Sequence, residues 1–321
     1  MLQHACGILA RIRPRFRDVL RAGEWWEFKL VPIFSAFYGT ALTMNVPVLS
    51  LRIAALTILL SMVPGAVYVS VINDLTDRED DLAAGKANRL VGKSRVAIAA
   101  IIAITIAAGL AFAWLWRHDP LLLSCYLAAW LAFSLYSLPP FRFKTRGILG
   151  VLCDAGGAHL FPTLVAVILA FRAAGRPIDR LWLAGVGAWA FAYGLRGILW
   201  HQLTDAANDR SAGVHTFAER HAPQFVIALG TFVAFPLELL GLGVMLTLMR
   251  SVVPPAFLLI YATFVLERLR RWRMHAVIVK PKERFTIVLQ EYYGVFFPIA
   301  ILLASALHDS ADLIMLAVHC I

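Results

Sequence analysis

Nine stretches of mostly apolar residues, each 15 to 25 positions long, follow one another along the chain and leave it few ways to fold. They run from Leu30 to Val46, Ala54 to Ile72, Val96 to Trp116, Leu121 to Leu138, Ile148 to Phe171, Leu181 to Trp200, Phe225 to Met249, Val252 to Leu266 and Ile287 to Leu307. A helix needs roughly 17–25 such residues to cross the hydrocarbon core of a bilayer. Only helices and closed barrels satisfy their backbone there. The expected fold is therefore an all-α integral membrane bundle of about nine transmembrane helices, with the eighth run short. Hydrophobic residues make up 60% of the chain and charged ones 16%, against about 45–50% and 25% in soluble domains. Three parts are expected: a basic interfacial N-terminal helix over 1–29, the nine-span domain over 30–308, and an apolar interfacial tail over 309–321.

The net charge of +10 raises the question of nucleic acid, and the distribution of that charge answers it. Of the 30 Lys and Arg residues, 24 fall on the side of the bundle that carries the N-terminus. Such asymmetry is the positive-inside pattern, so the basic residues read as anchors and no nucleic acid is expected. The N-terminus then lies in the cytoplasm, in the setting of a bacterial cell membrane, and an odd number of spans puts the C-terminus outside. Five arginines between Arg11 and Arg21, beside Trp25 and Trp26, suit a helix lying on anionic lipid. No cleavable leader is expected, because the apolar start is short and arginines follow it. Four scattered cysteines form no C-x-x-C pair and read as small apolar residues, not as a disulfide framework.

One polar motif occurs twice. Residues 75–85 read LTDREDDLAAG and residues 203–213 read LTDAANDRSAG, identical at six of eleven positions with an offset of 128 residues. Each copy follows an apolar run, which suggests two related halves with both motifs at cytoplasmic helix ends. Asp77 and Asp81, and again Asp205 and Asp209, are spaced i, i+4, which places neighbouring carboxylates on one helix face. Asn73 and Asp74 add to the first copy. Like charges so close call for a cation between them. Hard oxygen donors without a His or Cys cluster point to Mg²⁺, which binds one or two carboxylates together with substrate phosphates.

Cations flank both copies. Lys86 and Arg89 follow the first, Arg142, Lys144 and Arg146 follow the Pro139-Pro140 pair that ends the fourth run, and Arg210 adjoins Asp209. Lys86, Arg89, Lys144, Arg146 and Arg210, with Asn73, are candidate ligands for a diphosphate. Tyr136 and Ser137 stand at the membrane edge just before that loop, where an aromatic belt accounts for Tyr136 as well as catalysis does. Asp154, inside the fifth run, is a functional candidate by its placement in a membrane or else a structural partner for Arg196 or another polar group. Glu238 and Glu291 are further intramembrane acids. Two acidic helix ends holding Mg²⁺ on a diphosphate, over an apolar cavity for a hydrocarbon chain, suit ionisation of an allylic diphosphate away from water.

These residues resemble the UbiA superfamily of intramembrane prenyltransferases. N73-D74-x-x-D77-x-x-x-D81 after one span and D205-x-x-x-D209 after another carry the resemblance, which covers essentially the whole chain. It implies nine helices around a central cavity, and Mg²⁺-dependent transfer of a polyprenyl group from its diphosphate to a small, often aromatic acceptor. It implies a metal and diphosphate role for Asn73, Asp74, Asp77, Asp81, Asp205 and Asp209, and a diphosphate role for Lys86 and Arg89. It also implies a place near the reacting carbon for Tyr136, Ser137 and Lys144. Many members have Pro directly after the Arg of the basic segment, where this chain has Leu90. The same aspartates serve two rivals within the superfamily: a membrane terpene cyclase, and transfer of a lipid to a sugar phosphate. An ion-coupled transporter is the rival of another class, but its acids belong at the midplane and its broken spans in matching halves. No protein partner is expected.

Overall fold

The computed structural model describes residues 29–83, 88–211, 213–280 and 283–320, in which nearly all regular structure is helical. The basic helix expected over 1–29, save its last residue, and Lys86 lie outside the described residues. The helices are α1 (Val31–Thr43), α2 (Val48–Thr76), α3 (Arg78–Ala83), α4 (Arg95–Leu115), α5 (Pro120–Ser137), α6 (Ile148–Ala173), α7 (Arg180–Ser211), α8 (Phe217–Arg220), α9 (Pro223–Leu248), α10 (Val253–Arg271), α11 (Tyr292–His308) and α12 (Ser310–His319). A helix lies on each of the nine apolar runs. Five of them, α2, α4, α5, α6 and α9, are long and apolar enough to cross a membrane unaided, so the protein is a multi-pass membrane protein. Between α10 and α11 two three-residue strands, β1 (His275–Val277) and β2 (Phe285–Ile287), pair in parallel.

Three of the long helices share one local irregularity with one local cause. Gly156–Leu160 in α6, Gly230–Ala234 in α9 and Tyr292–Phe296 in α11 are wide π turns. Each is followed at once by a Phe-Pro pair: Phe161-Pro162, Phe235-Pro236 and Phe297-Pro298. Proline has no N–H to donate, and its ring clashes with the carbonyl four residues back. The turn widens instead, and the Phe before each Pro donates its N–H five residues back, to Gly156, Gly230 or Tyr292. Such turns are frequent at functional sites.

The largest core cluster joins α1, α2, α6, α7, α9 and α11 around Phe37, Trp182, Trp189, Tyr292, Tyr293 and Phe297, all fully buried. Trp182 keeps its indole N–H satisfied by donating to Thr40 Oγ1 at 2.9 Å. At the opposite end of the bundle from the aspartate motifs, α12 folds back. Its buried Asp312 accepts from the backbone N–H groups of Val48 (2.9 Å) and Leu49 (2.7 Å) and from Ser305 Oγ, satisfying the open N–H groups at the start of α2. The apolar tail is thus tied to α2 by a carboxylate, and to α1 by the ring contact of His319 with Tyr38.

Candidate active site

The two motif copies take different local forms. In the first, α2 ends at Thr76, the chain bends at Asp77 (φ −99°, ψ 2°), and α3 begins at Arg78. Asp77 N–H still donates to Asn73 at 2.9 Å and Asp81 N–H to Asp77 at 2.7 Å, so Asp77 and Asp81 stay one turn apart. In the second copy α7 runs unbroken through Asp205 and Asp209 to Ser211. Its end is tied by Asp209, whose carbonyl accepts from Val214 N–H at 2.8 Å and whose Oδ2 accepts from Thr216 Oγ1 at 3.2 Å.

The loop after α5 brings the copies together. Phe143–Thr145 form a single tight turn that buries Lys144, which donates to the Asp77 carboxylate. Arg142 reaches the same oxygen at 3.1 Å and the Thr76 carbonyl at 3.3 Å. Burial drives the Lys144 pKa down to about 8, while the Asp209 carboxylate pulls it the other way. The ammonium group is thus paired with Asp77 of the first copy and lies within electrostatic reach of Asp209 of the second. Arg220, beyond the second copy, closes the arrangement by donating to the Thr145 carbonyl at 2.9 Å. The turn lies this low because α6 has no side chain beneath it. A Cβ on Gly150 would stand 2.6 Å from the Phe143 carbonyl oxygen and 2.9 Å from Lys144 Cα.

Other expected residues are placed unevenly. Arg89 lies 3.7 Å from the buried Asp74, and Ser137 donates to Asn73 Oδ1. Asp205 faces His201 at 3.7 Å. Arg146 is exposed and donates to the Pro140 carbonyl at 2.6 Å. Arg210, with 71% of its side chain exposed, pairs with Glu219 at 3.5 Å. Neither Arg146 nor Arg210 is drawn to the aspartates by the contacts it makes. Sequence reasoning missed Asn88, whose amide donates to Asp81 Oδ2 (2.9 Å) and to the Asp74 carbonyl (2.6 Å), and it missed Thr216. The only signal for Asn88 was a neutral amide set between two cations just after the motif. Leu90, which follows the Arg of the basic segment, is fully buried against Val71 and Ile98.

Behind this polar face a cavity of about 740 Å³ opens between α2, α5, α6 and α7. Asn73, Tyr136, Asp154 and His201 line its polar end, and Met62, Tyr68, Trp130, Phe133 and Val165 its apolar walls. Tyr136 lies within electrostatic reach of both Asp154 and Asp209. Asp154 is not the partner of Arg196. That guanidinium makes a bidentate pair with Glu238, at 2.7 and 2.9 Å, with both side chains almost wholly buried. Glu291 is held by Arg268 at 2.5 Å. Among the described residues no three His, Cys, Asp or Glu side chains stand close enough together to hold a metal ion. The carboxylates of the first copy are instead engaged by Lys144, Arg142, Arg89 and Asn88.

Comparison with known proteins gives a consistent result. A model of the UbiA prenyltransferase family matches residues 30–286. A lycopene elongase/hydratase of Halobacterium salinarum is 28% identical over 209 residues, 64% of this chain and 70% of that protein. A lycopene elongase/hydratase of Haloarcula japonica is 32% identical over 158 residues, 49% of this chain and 50% of that protein. Another from Haloferax volcanii is 30% identical over 188 residues, 56% of this chain and 59% of that protein. The matches thus span between half and seven-tenths of these relatives' lengths. A UbiA homolog from Archaeoglobus fulgidus, solved bound to GPP and Mg²⁺ and again bound to DMAPP and Mg²⁺, shares the fold with a TM-score of 0.59 at 19% identity, over 92% of this chain and 99% of that one.

Proposed function

The chain belongs to the UbiA prenyltransferase family, and we propose that it transfers the prenyl group of an allylic diphosphate, with Mg²⁺, to the alkene end of an apolar isoprenoid chain. The observation that carries this reading is the ion pair of Lys144 with Asp77 of the first copy, within electrostatic reach of Asp209 of the second, beside an apolar cavity whose polar end is lined by Asn73, Asp154 and His201. The mouth suits a diphosphate and the cavity suits the hydrocarbon attached to it.

Mg²⁺ suits the chemistry of this donor set, hard carboxylate oxygens on the ends of two helices, and the acids would have to draw closer together than they stand here to hold it. Asp77, Asp81, Asp205 and Asp209 would hold it, with Asp74 behind them on Arg89. The metal, when bound, neutralises the diphosphate and makes it a better leaving group. Lys144 and Arg142 supply donors for the remaining phosphate oxygens, and their forks and ammonium protons suit that charge. Asn73, fixed by Ser137, and Tyr136 line the wall where the prenyl chain enters. Tyr68, Trp130 and Phe133 present aromatic faces to the cation that forms and keep water from it.

Two observations favour an apolar acceptor over a small aromatic acid. The three relatives named above are lycopene elongase/hydratases, and the buried guanidinium on the cavity wall, Arg196, is already committed to Glu238. Quinone-type chemistry on an aromatic acid is the second reading, motivated by the family resemblance. The test is incubation of purified protein in lipid nanodiscs with Mg²⁺, labelled dimethylallyl or geranyl diphosphate, and either lycopene or 4-hydroxybenzoate, followed by mass analysis. An extended polyene supports the first reading and a prenylated aromatic the second. A hydrocarbon made without acceptor would favour a cyclase, and no turnover with any of these would remove prenyl transfer altogether.

A further inference from the structure

Transfer to an alkene leaves a positive charge on the acceptor, and some group must take a proton before the product can leave. The polar residues near the mouth are poorly placed for this, since they surround the departing diphosphate. Deeper in the cavity most polar groups are already engaged. Arg196 is bound to Glu238, and the Tyr193 hydroxyl and the Gln290 amide bind each other at 3.1 Å.

His159 differs from all of these. It is 8% exposed, it lines the cavity, and among the described residues it has no hydrogen-bond partner. It lies five residues beyond Asp154 on α6, roughly 7.5 Å further from the mouth at 1.5 Å per residue. It sits in the π turn that Pro162 imposes, and a cleft in α7 makes room for it. A Cβ on Gly194 would stand 3.0 Å from both Cβ and Cδ2 of His159. The imidazole is packed edge-on against the Tyr193 ring, with centroids 5.2 Å apart, and a cation beside it would also face that aromatic surface. A buried polar side chain without a partner costs stability, and a neutral imidazole keeps a lone pair on one ring nitrogen.

We propose that His159 is the base that ends the reaction, taking a proton from the carbon next to the acceptor cation. This rests on the transfer reading above. The C–H bond breaks, its electron pair forms the new double bond, the proton goes to the imidazole, and the resulting imidazolium returns it to solvent through the mouth. No oxidant or reductant is needed.

The experiment measures diphosphate release and prenylated product separately, for wild-type protein, His159→Gln, His159→Ala and Asp205→Asn, in nanodiscs with Mg²⁺, labelled dimethylallyl diphosphate and lycopene. For His159→Gln we expect diphosphate release within about threefold of wild type and product reduced at least tenfold, with label diverted to the prenyl alcohol. This is the loss expected on removing a general base, about 10²–10⁴-fold at most. Free imidazole should restore product to His159→Ala, a rescue that a packing role would not give. Asp205→Asn, which removes one of the carboxylates assigned to the metal, should lose release and product together. Wild-type product from His159→Gln, equal loss of release and product in both histidine variants, or failure of imidazole to rescue would each overturn the assignment. Wild-type protein that released diphosphate but modified no acceptor would remove the transfer reading, and this one with it.

Discussion

Gly150 lies directly beneath Lys144, so close that a Cβ would come within 2.9 Å of the lysine's Cα and 2.6 Å of the preceding carbonyl oxygen. Both contacts are with backbone, which cannot swing aside. Gly150→Ala must therefore lift the turn that aims Lys144 at Asp77, at a cost of about 1–3 kcal/mol for overpacking. Because a misplacement of 1 Å costs on the order of 10²-fold in rate, we expect a folded variant with turnover reduced by about that factor. Steady-state kinetics alongside a thermal melt in detergent would check it. Unchanged turnover would mean that Lys144 has no part in the reaction.

Asp205 offers the cleanest test of the metal assignment. Its pairing is with His201, whose side chain is 70% exposed, at 3.7 Å, so Asp205→Asn should change stability by less than about 0.5 kcal/mol, as surface substitutions do. Turnover should nonetheless fall by about 10²–10³-fold, the usual loss when one stabiliser of developing charge is removed. Asp77→Ala should also abolish turnover, but it takes from the buried Lys144 ammonium its hydrogen-bonded carboxylate and is the harder variant to interpret.

Chelation should separate function from fold. Lys144 and Arg142 both pair with Asp77 and can neutralise it without a metal, so EDTA should stop turnover while leaving the thermal midpoint nearly unchanged. Mg²⁺ should restore activity, and Mg²⁺ with diphosphate should raise the midpoint more than either alone, as binding to the native state requires. Turnover indifferent to EDTA would remove the metal from the mechanism.

Much of this was legible in the chain and the rest has a physical reason for being hidden. Apolar runs and an i, i+4 carboxylate motif are local patterns, so the helices and both aspartate pairs could be read directly. The three Phe-Pro pairs were equally local, and the π turns they impose were readable in principle. The pairing of Arg196 with Glu238, not Asp154, depends on how α7 and α9 are rotated against each other, 42 residues apart in sequence. Arg142, Lys144 and Arg146 look equivalent in one short loop. A single tight turn directs the first two to Asp77 and the third back to Pro140. Gly150 gave no signal of its own, because the close approach it permits is visible only once the turn is built.

The Arg196–Glu238 pair gives a prediction about both stability and acceptor. Arg196 is 3% exposed and Glu238 fully buried, so removing one partner strands the other charge. Arg196→Ala should lose about 3–5 kcal/mol, and a paired change to Met and Leu should recover most of it, because well-packed apolar residues replace a buried ion pair at little cost. Thermal unfolding and detergent-extracted yield would measure both. The double variant then reports on the substrate. With an apolar acceptor the guanidinium makes no contact that matters, and Arg196→Met with Glu238→Leu should turn over the polyene much as wild type does. An aromatic acid bound through Arg196 would lose its anchor, so activity on 4-hydroxybenzoate, present in wild type and absent from the double variant, would shift the acceptor to the second reading.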